Sequence, residues 1–319
     1  MKRSRIILGL TAITVLSACG SKFDANSAPS SESNGISSIA DAAPVAEAPA
    51  TTSEKVIQDI GKDLREKSML SEEQIAALLA SATSAVKSGG LSSSNSVNMV
   101  LPTIIQGITQ GLGKQGLGAD SAKLTNLISL IGKIAIDTTM ISSGGALSAG
   151  MLKVLATTLF QNLGSAGGNA GNLSGISGTL MSTLVAHIGK GGFQAADLST
   201  LLQSLSSGAV LGVGNLNLSG LGGQLVSDIV KQIGAGSITG LSGVSNNSAI
   251  LQTLIGAINQ GSQSGLSQIV GKFSGSGLNL KDLLSTLIAG QTSKIGALPV
   301  GSIQQNVISL LLQALLSKG

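Results

Sequence analysis

From Gly89 to Gly319 one unit recurs along the chain: two apolar residues, two polar, two apolar, two small or polar, then one apolar, usually with glycine close by. Leu225-Val226-Ser-Asp-Ile229-Val230-Lys-Gln-Ile233-Gly234 shows it, as do Leu180-Met181-Ser-Thr-Leu184-Val185-Ala-His-Ile188-Gly189 and Ile250-Leu251-Gln-Thr-Leu254-Ile255-Gly-Ala-Ile258. Val100 to Ile108 matches too; Lys123 to Ile131, Met151 to Leu159, Leu283 to Ile288 and Val307 to Leu315 match in part. At ~100° of rotation per residue, the five apolar positions fall within an arc of ~140°. Each unit therefore predicts a short amphipathic helix of ~12 residues, ended by a left-handed glycine. Helices this short are unstable alone and must bury their stripes against one another. Unit spacing is irregular, roughly 23 to 45 residues, which favours a compact bundle of helical hairpins over a strict solenoid. The fold class expected is all-α, with Gly-rich connections in a repeat domain over 91–319.

Some details sharpen that expectation. Pro102 is tolerable only within the first turn of its helix. Helix starts fit at Asp197 and at Ser302-x-x-Gln305. Gly208 to Gly223 alternates apolar and polar and reads as either a short strand pair or a packed loop. Residues 53–90 carry the densest charge: Val56, Ile57, Ile60 and Leu64 recur at helical spacing, and Ser71-x-x-Gln74 makes a capping box before Ile75, Leu78 and Leu79. These predict a helical hairpin turning through Lys67 to Leu70. Residues 19–52, dominated by Ser, Ala, Asp, Glu and Asn and interrupted by Pro29, Pro44 and Pro49, read as a flexible tether.

The first 20 residues, MKRSRIILGLTAITVLSACG, have a different logic. Lys2, Arg3 and Arg5 make a basic segment, and Ile6 to Ala18 an uncharged apolar run. A helix of that run is ~20 Å long against ~30 Å of bilayer hydrocarbon, so it reads as a cleavable signal over 1–18 rather than a span. No later segment reaches 18 consecutive apolar residues. Leu16-Ser17-Ala18-Cys19 closes the signal with a cysteine where cleavage falls. In this stretch alone the chain resembles bacterial lipoprotein precursors, whose lipobox reads Leu, a small residue, Ala or Gly, then Cys. The resemblance implies that Cys19 becomes the first residue of the mature chain and carries a diacylglycerol (with a further fatty acyl chain, such as palmitate, on its amine). Two or more chains hold a protein stably on a membrane. In many Gram-negative bacteria an Asp after that Cys retains a lipoprotein in the inner membrane. Gly20 departs from this, which implies the outer membrane of the cell envelope.

Charge and composition narrow the function. Three of the 19 basic residues sit in the signal; the remainder balances 16 Lys+Arg against 15 Asp+Glu. With no Trp or Tyr and four Phe, the chain offers neither a basic patch nor stacking platforms, so nucleic acid is excluded as a partner. The single Cys permits no internal disulfide. Glu54, Asp59, Asp63, Glu66, Glu72 and Glu73 lack calcium-loop spacing and read as a solvated face. His187, the one histidine, falls on the polar side of its helix and reads as a surface residue; Asp197 and several serines lie near it in sequence, without a Gly-x-Ser-x-Gly elbow. Gly111-Leu-Gly113-Lys-Gln-Gly116 matches a dinucleotide fingerprint in letters but follows a helix-like segment, and reads as a helix end.

No catalytic, metal or cofactor residues are therefore assigned. The expectation is a non-enzymatic structural or interaction module, anchored to the membrane through its N-terminal lipid, that binds a protein partner or itself. The alternative is a membrane-active protein or a carrier of hydrophobic ligands between helices. Cys19→Ser is expected to abolish both signal cleavage and acylation, leaving the precursor mass where the native protein shows a mature chain beginning at a lipidated Cys19; intact-mass spectrometry reads the difference.

Overall fold

The computed structural model describes residues 52–91, 95–216, 222–299 and 309. The signal, Leu16, Ser17, Ala18 and Cys19, the tether up to Thr51 and the helix expected from Ser302 lie outside these residues. The described chain is helical, without a strand: α1 Thr52–Lys67, α2 Glu72–Ser88, α3 Val97–Lys114, α4 Ser121–Ser142, α5 Ala149–Gln161, α6 Ala170–Gly189, α7 Ala195–Gly214, α8 Gly223–Leu241, α9 Ser248–Ile269 and α10 Leu280–Thr292. It is an all-α bundle, as the periodicity predicts.

The local reasons for these helices are visible at their starts. At Ser71 the capping box is formed in both directions, Gln74 N–H donating to Ser71 Oγ at 3.2 Å and Ser71 N–H to Gln74 Oε1 at 3.1 Å. Asn169 and Asn172 form a second, and Asp120, Ser148, Asn247 and Asn279 accept from first-turn amides. Asp197 does not cap. α7 begins two residues earlier, and Asp197 sits in its first turn, where a carboxylate favours the positive end of the helix dipole.

Within the bundle the helices are layered. α3, α5, α7 and α9 pack in sequence on one another, and so do α4, α6, α8 and α10. Helices two apart in the chain are thus closest neighbours, while consecutive helices meet across the layers. One aliphatic core runs through the whole body, from Val56 to Leu298. α2 departs from the alternation by packing directly on α3, and α1 lies against α2, α3 and α4.

A shared register produces the layering. Leu198, Leu201, Leu202 and Leu205 of α7 correspond to Val226, Ile229, Val230 and Ile233 of α8 and to Leu251, Leu254, Ile255 and Ile258 of α9, all buried. Each set is followed, three and seven residues on, by a buried glycine pair: Gly208 and Gly212, Gly236 and Gly240, Gly261 and Gly265. On a helical wheel the glycines sit about 50° to one side of the apolar stripe. The stripe faces the other layer, and the glycine flank faces the neighbour in its own layer.

There the backbones touch. A Cβ on Gly212 would stand 2.7 Å from the Thr157 carbonyl oxygen of α5, on Gly240 2.6 Å from that of Ser182 in α6, and on Gly265 2.9 Å from that of Ser207 in α7. Gly208, Gly236, Gly261 and Gly290 come closer still to the carbonyls of Lys153, Gly178, Gln203 and Lys231. In α3, a Cβ on Gly107 would meet Ala82 Cα at 2.7 Å.

This corrects three expectations. Helices run through glycines instead of ending at them: α8 continues past Gly234, Gly236 and Gly240, and reaches 19 residues. Each such glycine costs a helix ~1 kcal/mol relative to Ala, and the close approach offsets that cost. Left-handed glycines do end several helices, as at Gly90, Gly116 and Gly192. Gly208 to Gly214 is neither strand nor loop but the last turns of α7. There Ala209, Val210 and Val213 are all buried because the helix is covered by both α5 and α9, so apolar residues no longer trace one stripe. Residues 217–221 of that stretch lie outside the described ones. Pro102 stands in the second turn of α3, not the first; the carbonyl it leaves unbonded is that of Asn98, an exposed residue that water can reach.

Two substitutions five residues apart on α9 test the packing. Gly261→Ala should destabilise the fold by ~3 kcal/mol, because the added methyl drives into the Gln203 backbone. Gly256→Ala, with nothing within 4 Å of its Cβ position, should stabilise by up to ~1 kcal/mol through helix propensity. Urea denaturation of the two variants separates them.

Candidate functional site

A cleft of about 700 Å³ opens between α1 and the C-terminal half of α4, with the start of α3 at its edge. Its floor is apolar, from Val56 and Val97, and Ile141 stands on its rim 82% exposed. Asp59, Asp63 and Glu66 of α1 line it together with Asp137 of α4, beside Lys55 and Lys62. The acidic residues that read as a solvated face thus divide. Asp59, Asp63 and Glu66 edge this cleft, whereas Glu72 on α2 accepts from Arg65 Nε at 2.9 Å and ties the hairpin.

Most of the cleft's charge is paired within the fold. Lys67 Nζ donates to Asp63 Oδ1 at 2.7 Å, and Lys62 lies 4.0 Å from Glu66. The hydrogen bond to Asp63 holds the Lys67 ammonium above its ordinary range; desolvation opposes it, and the charges of Asp63, Asp137 and Glu66 add to the rise. A cation whose folded pKa is raised favours the fold below the ordinary lysine range, and that contribution is lost as pH rises through the folded value, in strongly alkaline solution. The pair is about half exposed, so its contribution is small.

Asp137 has the long-range partner. His187 Nε2 of α6 lies 2.7 Å from Asp137 Oδ1, both side chains half-buried. The histidine is therefore not an isolated surface residue: it bridges α4 and α6. Its partner is a carboxylate fifty residues upstream, and the sequence neighbour Asp197 lies instead at the start of α7, beside Phe193. For acyl transfer a hydroxyl would have to stand on the other ring nitrogen. The buried hydroxyls of Thr109, Thr139, Ser177 and Ser237 donate to helix carbonyls one turn back. Among the described residues, no group of three His, Cys, Asp or Glu is placed to hold a metal ion.

The fingerprint-like glycines serve packing. Gly111 and Gly113 belong to α3, Gly111 against Leu78 and Ser81 of α2 and Gly113 against the Ser165 carbonyl after α5. Gly116 has the left-handed backbone, φ 67°, that turns the chain into a short 3-10 segment. α4 is the one described helix long and apolar enough to cross a bilayer by length and composition. Over half of its apolar window is buried, against α1, α3, α5 and α6. Sequence reasoning missed both the glycine flanks and the Asp137–His187 bond. The flank carries a signal, Gly-x-x-x-Gly repeated at one position in successive units; the bond carries none, since it joins residues on helices two apart.

The sequence matches no protein-family model and no curated protein.

Asp137→Ala and His187→Ala should each cost about 1 kcal/mol, and the double variant little more than either alone, because both remove the same interaction. Denaturant unfolding of the three variants at neutral pH completes the cycle.

Proposed function

We propose that this protein is an outer-membrane lipoprotein, held by acyl chains on Cys19, whose helical body acts as a non-enzymatic interaction module for a protein partner or for further copies of itself. The observation that carries the second half is the layered array. Helices stacked by a one-helix repeat bury a continuous core and leave long outer faces, the arrangement by which helical repeat proteins present extended binding surfaces. Beside a few exposed charges, such as Asp197, Lys231, Lys281 and Asp282, those faces carry hydroxyls and amides: Thr179, Thr239, Thr253, Gln260, Ser264 and Ser285 are all exposed. Hydroxyls and amides of this kind hydrogen-bond without the desolvation cost of buried charge.

The first half rests on Leu16-Ser17-Ala18-Cys19 standing in register behind the basic and apolar segments. The α1–α4 cleft weighs against a carrier of hydrophobic ligands, because charged side chains rim it and it opens to solvent.

A photo-crosslinking residue in place of Thr253, exposed on α9, tests the reading in the native envelope. The expected outcome is a discrete crosslinked band in the outer-membrane fraction, lost from that fraction when Cys19 is replaced by Ser. Wild-type protein that fractionates with the periplasm would sink the anchor. Outer-membrane protein that yields no discrete product from any outer-face position would sink the interaction role.

A further inference from the structure

The helical body is not packed in the same way along its length. Beyond α5, same-layer neighbours meet backbone to backbone through glycines: α5 and α7 at Gly208 and Gly212, α6 and α8 at Gly236 and Gly240, α7 and α9 at Gly261 and Gly265, α8 and α10 at Gly234 and Gly290. Before α4, α2 and α3 do the same at Gly107. The joint between the two sets is built differently. The one glycine of α4, Gly132, faces the side chains of Leu184, Leu159 and Leu180, at 2.8, 3.4 and 3.5 Å from its Cβ position, and no backbone atom stands among these nearest neighbours. Terminal methyls of leucine yield by rotamer changes, whereas a carbonyl locked in a helix does not.

In the other layer, the close approach at this joint involves no helix–helix backbone contact. Gly113 and Gly118 touch Ser165 and Gly167, in the turn that follows α5. The chain crosses between the sets through Ser143–Ser148, where Gly144 and Gly145 have left-handed φ values of 69° and 94° with nothing within 4 Å of their Cβ positions. The Asp137–His187 bond spans the same joint, from α4 to α6, at 2.7 Å.

We infer that the body flexes at this joint, α1–α4 moving against α5–α10, with the Gly113/Gly118 contact as the pivot and the Asp137–His187 bond as the clasp that limits the motion. Hinge motion of this kind needs a soft contact, a permissive linker and a small number of bonds that break together. Breaking the clasp frees Asp137, which stands at the edge of the α1–α4 cleft. The inference stands on the helix packing and does not rest on the proposed anchor or partner.

Spin labels in the full chain carrying Cys19→Ser test it, since the introduced cysteines are then the only thiols. One pair, Ala76→Cys with Lys281→Cys, spans the joint; a second, Thr200→Cys with Lys281→Cys, lies within α5–α10, and all three positions are exposed on helices. Pulsed electron–electron resonance should give a broader distance distribution for the spanning pair than for the internal one. His187→Ala or Asp137→Ala should then roughly double the spanning width and leave the internal width unchanged. A spanning distribution as narrow as the internal one, in wild type and both variants, would overturn the flexing joint. A broad one that neither variant alters would overturn the clasp. Should either variant fail to fold by circular dichroism, the wild-type comparison still decides the joint and the remaining variant decides the clasp.

Discussion

From α5 onward the fold depends on the contact between a glycine Cα and a helix carbonyl of the neighbouring helix in the same layer. Ordinary helix packing separates axes by 8–10 Å because side chains interdigitate. Here the side chain is missing on one flank, and the backbones approach until Cα–H groups face carbonyl oxygens, a weak but repeated attraction. The approach also fixes what else fits. Ser206, Ser207 and Ser262 lie buried along these seams with no hydrogen-bond partner for their hydroxyls among the described residues. Their small volume suits positions so close to the glycine seams. Each unpaired hydroxyl costs on the order of 1 kcal/mol. The seam tolerates that cost because the alternative, a larger side chain, would open the layer.

The layering follows from the separation of two jobs around the helix. The aliphatic stripe at Leu198, Leu201, Leu202 and Leu205, and at its counterparts in α8 and α9, is broad and faces the opposite layer. The glycine flank is narrow and faces sideways. A sequence reading that follows hydrophobic period sees only the first job. It therefore recovers the helices, their buried faces and the Ser71 box. It misassigns the glycines, because glycine's low helix propensity makes an end the default reading. Gly208 to Gly214 shows the failure most clearly: a helix covered on several sides loses its single stripe, and alternation of small and apolar residues then imitates a strand. The Asp137–His187 bond was illegible for another reason. It depends on α4 and α6 being neighbours, which only the layering decides.

The same division of labour accounts for where charge is found. Along α6–α10 the flanks are occupied by glycine and the stripes by aliphatics, so most polar residues are left with the outer faces, and these are mainly hydroxyls and amides. Charge gathers on α1 and α2, which sit at the N-terminal end of the stack and lack its regular glycine flanks. A polar outer surface on a terminal element is what a stacked array needs, because the last repeat otherwise exposes an aliphatic stripe to water. α1 meets that need with Asp59, Lys62, Asp63 and Glu66 outward and Val56, Ile60 and Leu64 inward.

α4 is where the two regimes meet, and its composition follows from that position. Helices α1, α3, α5 and α6 all pack on it, so apolar residues extend around most of its circumference and its hydropathy rises to a level that length and composition alone would associate with a membrane. The burial of more than half of that window shows the cause to be protein contact. Its charged groups mark the sides left over: Asp137 points to the α6 bridge and the cleft, and Lys133 remains exposed. α4 carries a single glycine, Gly132, where α7 and α8 carry several. The joint at α4 is accordingly packed by leucine methyls and one charged hydrogen bond, and the regular backbone seams begin on either side of it.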